Sequence, residues 1–332
     1  MKIGYLGAGT WGTALASLLA KNGHSVVVWD RNPATIKTLR ETRKHPKLKN
    51  FKIPDGILYT ENILDAIKDV DMIVESVTSL GIREVFSKIR SLIKIKCPVV
   101  ITSKGLEQKT NLLFPEILKE IFGSENEKYI GCLSGPSHAE EVIKNLPTSI
   151  VCSSYSEETT ALLSKAFNGP TFRVYPNSDI LGVSFGGAMK NVIAIACAIA
   201  DGLGFGDNTK AALMTRGLHE MKKLCPTKGG KPETLNGLSG MGDLCVTCLS
   251  QFSRNYRFGR LIAKGYNMED AKAEIGMVVE GVYSCIAALE LAKRFNIQVP
   301  ITESVYAVLY ENLSAKNVVK LLMQREIKEE LR

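Results

Sequence analysis

Short apolar runs alternate with helical stretches through the first half of the chain. The helical pattern covers Thr13–Lys21, Ile63–Lys68, Ile82–Ile93 and Leu112–Ile121. The apolar runs are Lys2–Leu6, Val26–Trp29, Met72–Val77, Val99–Thr102, Ile130–Leu133, Ser149–Cys152 and Phe172–Tyr175. Continuous apolar runs are typical of strands that are buried on both faces of a mostly parallel sheet. The pattern therefore predicts a doubly wound α/β domain.

The pattern changes near Asp179, after which almost all of the periodicity is helical. The predicted helices are Ile180–Ala200, Thr209–Leu224, Tyr256–Lys264, Tyr283–Phe295 and Glu303–Leu313. A chain of 332 residues commonly forms two domains. We therefore predict an α/β domain over residues 1–178 and an α-helical domain over residues 179–332. The apolar run Val183–Ala200 is interrupted by Lys190 and Asn191, so we expect a buried helix of a soluble protein and no membrane span.

Composition and charge narrow the choice of partner. Hydrophobic residues make up 45% and charged residues 23% of the chain, as in ordinary globular proteins. The formal net charge of +8 suits either nucleic acid or an anionic small molecule. The basic excess is densest over Arg31–Lys52, which contains one aromatic residue, Phe51, and so offers no stacking platform for bases. We favour a solvated loop beside a phosphate-rich ligand and expect no nucleic-acid partner. Contact of this stretch with anionic membrane surfaces stays open.

The spacing of the cysteines and the N-terminal sequence both bear on the cellular compartment of the protein. The chain has eight cysteines, and Cys245 and Cys248 form the one CxxC pair. A structural zinc site would need two further Cys or His ligands at matching spacing, so we expect no metal. The sequence MKIGYLGAGT lacks the pattern of a secretory signal. We therefore expect reduced thiols and a cytoplasmic protein.

Gly7, Gly9 and Gly12 form a GxGxxG element between an apolar strand and a helix. A second strand then delivers Asp30, as in the dinucleotide-binding fingerprint. Gly7 permits the tight turn, Gly9 lets the backbone approach a pyrophosphate, and Gly12 permits close packing of helix and strand. The helix N-terminus offers free N–H groups to the phosphates. These features predict a Rossmann-like domain that binds NAD(H) or NADP(H).

The choice between the two dinucleotides stays open. The Asp30 carboxylate can accept hydrogen bonds from a ribose hydroxyl and would repel a 2′-phosphate. The neighbouring Arg31 could stack on adenine or pair with that phosphate.

Lys190 stands in an otherwise apolar helix, in the segment Gly-Gly-Ala-Met-Lys-Asn-Val-Ile-Ala that starts at Gly186. Burial of an unpaired ammonium is costly, so this lysine is either paired structurally or placed to meet a substrate. Gly186 and Gly187 lie beside it on the helix and would leave room for a ligand. Burial favours loss of the proton, which makes Lys190 a candidate proton donor and acceptor for a carbonyl/alcohol pair.

Three segments are dense in small and polar residues, and a lysine lies near the end of a strand. Gly135 and Ser137 lie in a Ser-Gly-Pro-Ser turn between a strand and a short helix, and Lys104 follows a strand at the edge where α/β sheets bind ligands. Leu238–Asp243 places a carboxylate in a flexible turn, and the Ser-Arg-Asn segment 253–255 supplies a guanidinium suited to phosphate. Together these segments predict a small anionic substrate beside the dinucleotide.

Seven motifs in chain order resemble those of bacterial NAD(P)-dependent glycerol-3-phosphate dehydrogenases. They are GAGTWGTALA (7–16), SKGLE (103–107), LSGPS (133–137), GGAMKNVIAIA (186–196), GMGDL (240–244), SRN (253–255) and VEGV (279–282). The resemblance implies interconversion of dihydroxyacetone phosphate and sn-glycerol 3-phosphate for glycerophospholipid synthesis, in a cytoplasmic enzyme that is often a homodimer. Two departures are visible: His138 where relatives carry Phe, and Cys197-Ala198 where they carry Ala-Gly.

The resemblance also implies roles for individual residues. Lys190 would donate the proton during reduction and accept it in reverse. Lys104 would contact both cofactor and substrate. Arg254 would bind the substrate and would also contact the cofactor. The substrate would be held by Gly135, Ser137, Asp243, Ser253, Arg254 and Asn255. The dinucleotide would be bound by Thr10, Trp11, Arg31, Ala139, Val278 and Glu280, in addition to the glycines and Asp30.

Two alternative functions remain open on sequence grounds. A β-hydroxyacid dehydrogenase also joins a dinucleotide domain to a helical domain and uses a helix lysine, but its substrate carries a carboxylate; the Ser-Arg-Asn segment argues against it. A non-catalytic protein that senses NAD(P) or binds nucleic acid would show affinity without turnover.

Overall fold

The computed structural model describes residues 1–324, 326, 329 and 330. The chain forms two compact units. The first comprises Met1–Glu107 and Leu112–Ser184, and the second comprises Gln108–Asn111 and Phe185–Arg332. Residues 325, 327, 328, 331 and 332, at the end of the predicted second domain, lie outside the described residues. The division between the units follows Ser184, whereas the predicted domain limit of 178/179 stays a prediction.

The first unit is built on an eight-stranded sheet with the order β3-β2-β1-β4-β5-β6-β7-β8. The strands are β1 Lys2–Leu6, β2 Ser25–Trp29, β3 Leu58–Thr60, β4 Met72–Glu75, β5 Val99–Ile101, β6 Ile130–Ser134, β7 Thr148–Ser154 and β8 Phe172–Asn177. Neighbouring strands are parallel except for β6 and β7, which pair antiparallel. The strand order reverses between β1 and β4, the position at which such sheets bind ligands beyond the carboxyl ends of the strands. The predicted fold class is confirmed.

Helices connect the strands of this unit. They are α1 Thr10–Lys21, α2 Pro33–Thr42, α3 Ile63–Ile67, α4 Ile82–Leu92, α5 Phe114–Phe122, α6 Ala139–Val142 and α7 Glu157–Phe167. Apolar residues of β1, β2 and β4 pack against α1 in one buried cluster that includes Ile3, Leu15 and Val74. Because β1 and β4 are covered on both sides, their sequences show no alternation.

One prediction for the first unit is wrong, and one strand of this unit was not predicted. The basic stretch 31–52 is not only a loop, because α2 occupies Pro33–Thr42. Asn32 caps this helix by accepting a hydrogen bond from the Ala34 N–H, and Pro33 at the first helical position favours its start. Strand β3 has only three residues, which is too short for a recognisable periodic pattern.

The regular elements in the described part of the second unit are helices, joined by short loops. Its helices are α9 Gly206–Leu224, α10 Asp243–Leu249, α11 Arg254–Ala263, α12 Met268–Ile275, α13 Glu280–Phe295, α14 Pro300–Tyr310 and α15 Ala315–Met323, and α8 Ile180–Gly202 contains the division after Ser184. By length and composition α8 could cross a membrane, but 89% of its apolar window is buried, which is typical of a core helix.

Glycines bring the backbones of this unit close to α8. A Cβ on Gly259 would lie 2.7 Å from the Ile195 carbonyl oxygen, and a Cβ on Gly281 would lie 2.6 Å from the Asn191 carbonyl oxygen. Both distances are shorter than any normal contact, so only glycine allows α11 and α13 to approach α8 this closely.

Candidate active site

The glycine-rich turn joins β1 to α1. Gly7 has a φ of 101°, which favours glycine, and a Cβ there would lie 2.5 Å from the Ser76 carbonyl oxygen. A Cβ on Gly12 would lie 2.2 Å from the Gly7 carbonyl oxygen. Among the described residues, no atom lies within 4 Å of the corresponding position on Gly9, which is exposed. The turn is therefore closely packed at Gly7 and Gly12 and open at Gly9. A phosphate could approach the backbone at Gly9 without meeting a side chain.

The first turn of α1 follows Gly9, and Thr10 and Trp11 at its start are half-buried. Within the described chain, no side chain caps this turn, so its N–H groups can meet an anion. The Asp30 carboxylate accepts one hydrogen bond from the Ala8 N–H and one from the Asn32 N–H, each 2.8 Å long. A carboxylate has about four acceptor positions, so Asp30 retains capacity for a ribose hydroxyl. The residues present fit a dinucleotide.

Lys104, Gly135 and Ser137 lie together in the first unit. The Lys104 Nζ donates to the Gly135 carbonyl oxygen over 2.9 Å, and the Ser137 hydroxyl donates to the same oxygen over 2.9 Å. Gly135 has a φ of 137°, a conformation available to glycine, and a Cβ there would lie 3.0 Å from the Ile150 Cα. Ala139 begins α6 directly after this turn. The loops after β5 and β6 thus bring an ammonium and a hydroxyl together.

Lys190 lies in the second unit with its side chain 8% exposed. Its Nζ forms an ion pair and hydrogen bond with Asp243, whose side chain is 1% exposed, and donates to the Thr247 hydroxyl over 2.7 Å. The Thr247 hydroxyl in turn donates to the Asp243 carbonyl oxygen over 2.6 Å. Of the two sequence hypotheses for Lys190, structural pairing is therefore observed; a substrate role for Lys190 stays a prediction, because an ammonium paired with a carboxylate can still give up a proton.

Two expectations around Lys190 are wrong. Leu238–Gly242 is a π-helical turn and Asp243 is the first residue of α10, so this carboxylate is held rigidly and does not lie in a flexible turn. A Cβ on Gly186 would lie 2.5 Å from the Ser239 carbonyl oxygen. The space beside Gly186 therefore holds the backbone of this turn and not a ligand.

The Ser-Arg-Asn segment begins α11. The Ser253 hydroxyl caps the helix by accepting from the Tyr256 N–H, and the Arg254 guanidinium donates to the Val278 carbonyl oxygen over 2.9 Å. The Asn255 side chain is buried; it donates to the Asn191 Oδ1 over 2.9 Å and accepts from the Gly281 N–H over 2.8 Å. Asn255 thus holds the turn that leads from Val278 to Glu280, the first residue of α13.

Two residues of these clusters, Thr247 and Asn191, and one buried residue at the end of β4, Glu75, were not singled out in the sequence. Thr247 lies one helical turn after Asp243, a spacing that places both on one face of α10. Asn191 follows Lys190 and shares its unusual position in an apolar helix. Glu75 is a charged residue within the predicted apolar run Met72–Val77, and it is fully buried. In the last two cases a polar residue in an apolar run is the available signal.

Models of the NAD-dependent glycerol-3-phosphate dehydrogenase family match both parts of the chain. The N-terminal model matches residues 2–160 and the C-terminal model matches residues 179–320. The chain is 55% identical over 329 residues to the glycerol-3-phosphate dehydrogenase [NAD(P)+] of Protochlamydia amoebophila, with 99% of each chain covered. It is 55% identical over 328 residues to that of Chlamydia pneumoniae, with 99% of this chain and 98% of the other covered.

A solved structure shows the same fold. The crystal structure of glycerol-3-phosphate dehydrogenase from Coxiella burnetii superposes with a TM-score of 0.91 at 36% identity, covering 98% of this chain and 99% of the other. Sequence similarity and fold similarity thus both extend over nearly the whole chain. On these grounds the chain belongs to the family of NAD(P)-dependent glycerol-3-phosphate dehydrogenases.

Proposed function

We propose that this chain interconverts dihydroxyacetone phosphate and sn-glycerol 3-phosphate with NAD(H) or NADP(H), and that it supplies glycerophospholipid synthesis. As a member of its family the chain is an oxidoreductase that uses a nicotinamide dinucleotide. The names and full-length similarity of its relatives support the substrate. The observation that carries the chemistry is the Lys190 ammonium, buried in an apolar helix and held by Asp243 and Thr247.

Reduction of a ketone needs one hydride at carbon and one proton at oxygen. A nicotinamide dinucleotide bound at the glycine-rich turn would provide the hydride chemistry at C2 in both directions. Lys190 supplies the proton to the C2 oxygen and takes it back in reverse. The Asp243 carboxylate and the Thr247 hydroxyl hold the Lys190 Nζ in one position, so its proton is aimed before the substrate binds.

The remaining residues bind and orient. Arg254 supplies a guanidinium that can take a phosphate in bidentate fashion, and binding energy at the phosphate orients the reacting carbon. The other proposed substrate contacts are Lys104, Gly135, Ser137, Asp243, Ser253 and Asn255. The proposed cofactor contacts are Gly7, Gly9, Thr10, Trp11, Gly12, Asp30, Arg31, Lys104, Ala139, Arg254, Val278 and Glu280.

A steady-state assay with purified protein tests this function. Dihydroxyacetone phosphate should be reduced with NADH or NADPH, and a three-carbon oxo acid without phosphate should not. Lys190→Met should lose most of kcat and still bind NADH. Lys210→Met is a control for the loss of a lysine ion pair in the second unit, because Lys210 forms partly exposed pairs with Asp201 and Asp207. Preferred turnover of the oxo acid would instead indicate a β-hydroxyacid dehydrogenase, and dinucleotide binding without any turnover would indicate a sensor.

Three further features belong to this proposal. We propose domain limits of 1–178 and 179–332, which are supported by the start of the C-terminal family match at residue 179. We also propose a cytoplasmic location and a homodimer, both on the resemblance to bacterial relatives. Light scattering coupled to size-exclusion chromatography tests the dimer, and fractionation of the native cell tests the location.

A further inference from the structure

Glu75 is a buried carboxylate that the proposed chemistry does not use. It ends β4, its relative exposure is 0%, and the three preceding residues of the strand are Met72, Ile73 and Val74. Burial raises the pKa of Glu75 to about 7, although hydrogen bonds from neighbouring residues oppose this effect. A group this costly to bury needs compensating partners.

The side chain of Glu75 joins two loops. Its Oε1 accepts a hydrogen bond from the Val77 N–H over 2.6 Å. The same oxygen lies 2.8 Å from the Ser103 hydroxyl, whose single hydrogen is shared with the Val77 carbonyl oxygen 2.7 Å away. Its Oε2 accepts a longer bond, 3.4 Å, from the Ser103 N–H. Val77 belongs to the loop after β4, and Ser103 belongs to the loop after β5, next to Lys104. The Glu75 carboxylate therefore joins both loops, together with the Ser103 hydroxyl that it contacts.

A chain of hydroxyl groups links the same place to β1. The Thr102 hydroxyl donates to the Glu75 carbonyl oxygen over 2.7 Å, which leaves it to accept from the Ser76 hydroxyl 2.6 Å away. The Ser76 hydroxyl in turn lies 2.7 Å from the Tyr5 hydroxyl, which can donate to it. The carboxyl ends of three adjacent strands, β1, β4 and β5, are thus joined by polar groups in the interior.

The loop that Glu75 fixes lies directly against the glycine-rich turn. A Cβ on Gly7 would lie 2.5 Å from the Ser76 carbonyl oxygen, and a Cβ on Gly12 would lie 3.4 Å from the Ser76 Cβ. The strand order reverses between β1 and β4, so the crevice that receives a dinucleotide opens above this contact. A shift of Ser76 or Val77 would therefore change the shape of the turn that meets the phosphates.

We propose that Glu75 is a positioning residue for the nicotinamide dinucleotide, which holds the loops after β4 and β5 in place against the glycine-rich turn before the cofactor binds. This inference rests on dinucleotide binding by the first unit, and it is independent of the substrate proposed above. Glu75 acts through Val77 and Ser103 and need not contact the cofactor.

Two substitutions of Glu75 separate its hydrogen bonds from its charge. Glu75→Leu removes all acceptors at similar volume, whereas Glu75→Gln keeps one acceptor oxygen, which can replace Oε1 for both short bonds. Loss of two hydrogen bonds at about 1 kcal/mol each corresponds to roughly tenfold or more in an equilibrium constant. In Glu75→Leu we expect the Kd for NADH, measured by fluorescence titration, to rise about tenfold and the Val77 amide of the cofactor-free protein to exchange its hydrogen about tenfold faster. Glu75→Gln should stay within about threefold of the original protein in both measurements.

Glu220 offers a matched control in the second unit. It is also buried, burial raises its pKa to about 7, and its carboxylate accepts three hydrogen bonds at the start of α14, from the Ile301 N–H, the Thr302 N–H and the Thr302 hydroxyl. Glu220→Leu should lower thermal stability as much as Glu75→Leu does, while the Kd for NADH stays within about twofold.

The outcomes decide the proposal. An unchanged Kd in Glu75→Leu together with a loss of stability equal to that of Glu220→Leu would show a purely structural role and overturn it. Equal weakening by Glu75→Gln and Glu75→Leu would also overturn it, because Gln keeps the positions of the loops. If Glu75→Leu does not fold, Glu75→Met replaces it, because it also removes both acceptor oxygens and has an unbranched side chain: the Kd should rise about tenfold, and no rise would overturn the proposal. NADH binding without reduction of dihydroxyacetone phosphate would refute the proposed function and leave this inference intact.

Discussion

Replacement of Lys190 and Asp243, singly and together, measures how strongly the buried ion pair couples its two members. Lys190→Met and Asp243→Leu remove one charge each without adding a polar group. The side chains are 8% and 1% exposed, so each single variant leaves the opposite charge buried without its counter-ion. Removal of one member of a buried pair typically costs about 3–5 kcal/mol, whereas replacement of both members by apolar side chains is often nearly neutral.

The expected result is a strong departure from additivity. Each single variant should lose about 3 kcal/mol or more of unfolding free energy, and the double variant should lose less than either single variant. The coupling energy of the cycle should then be at least about 3 kcal/mol. Thr247→Val, which removes one hydrogen bond of the ammonium and no charge, should cost about 1–2 kcal/mol.

The assay is urea unfolding at neutral pH, followed by circular dichroism and fitted with a common m-value. Single-turnover reduction of dihydroxyacetone phosphate on the same variants separates stability from chemistry. The double variant should be stable and inactive, because it lacks the proton donor. Single variants that cost less than about 1 kcal/mol, or energies that add within about 0.5 kcal/mol, would refute the view that the pair is desolvated and tightly coupled.

Three further results are expected. Arg254→Ala should raise KM for dihydroxyacetone phosphate at least tenfold, a loss of about 1.4 kcal/mol or more at the phosphate, with a smaller effect on kcat in steady-state kinetics; an unchanged KM would remove Arg254 from the phosphate site. Asp30→Ala should raise kcat/KM with NADPH relative to NADH, since a carboxylate repels a 2′-phosphate, and a constant ratio of the two kcat/KM values would contradict this role. Burial raises the pKa of Glu220 to about 7 from the usual 4.5, so the folded protein binds this proton more tightly than the unfolded chain, and stability falls as pH rises from about 4.5 to 7. Glu220→Gln lacks this titration, so its unfolding free energy relative to that of the original protein should increase by up to about 3 kcal/mol as pH rises from 5 to 8 in urea unfolding. A decrease of this difference over the same pH range would contradict the prediction.

The sheet and the glycine-rich turn could be predicted because their signals are local. Continuous apolar runs identify buried parallel strands, and the GxGxxG element followed by Asp30 lies within one βαβ unit. Helix α2 and strand β3 were missed for an equally local reason. The charged residues of Arg31–Lys52 obscure the helical pattern, and the three residues of β3 are too few to show a period.

The partners of the candidate site residues could not be predicted in the same way. Lys190 contacts Asp243, which is 53 residues away, and Asn255 contacts Asn191, which is 64 residues away. Nothing in either local sequence specifies the other, since both contacts arise from the packing of α10 and α11 against α8. Tertiary packing also fills the space that was predicted for a ligand beside Gly186. The backbone that fills this space, at Ser239, is more than 50 residues later in the chain.

The sequence by itself determined the class of fold, the alternation of strands and helices before the helical part of the chain, and the charged residues within apolar segments. These properties follow from side-chain periodicity and from glycine geometry, which act over a few residues. Only the tertiary structure decided which buried charges meet, that Lys190 is held by a carboxylate, and that Glu75 joins the loops after β4 and β5. Burial makes each of these groups depend on a specific partner, and the chain brings such partners together only when the whole core forms.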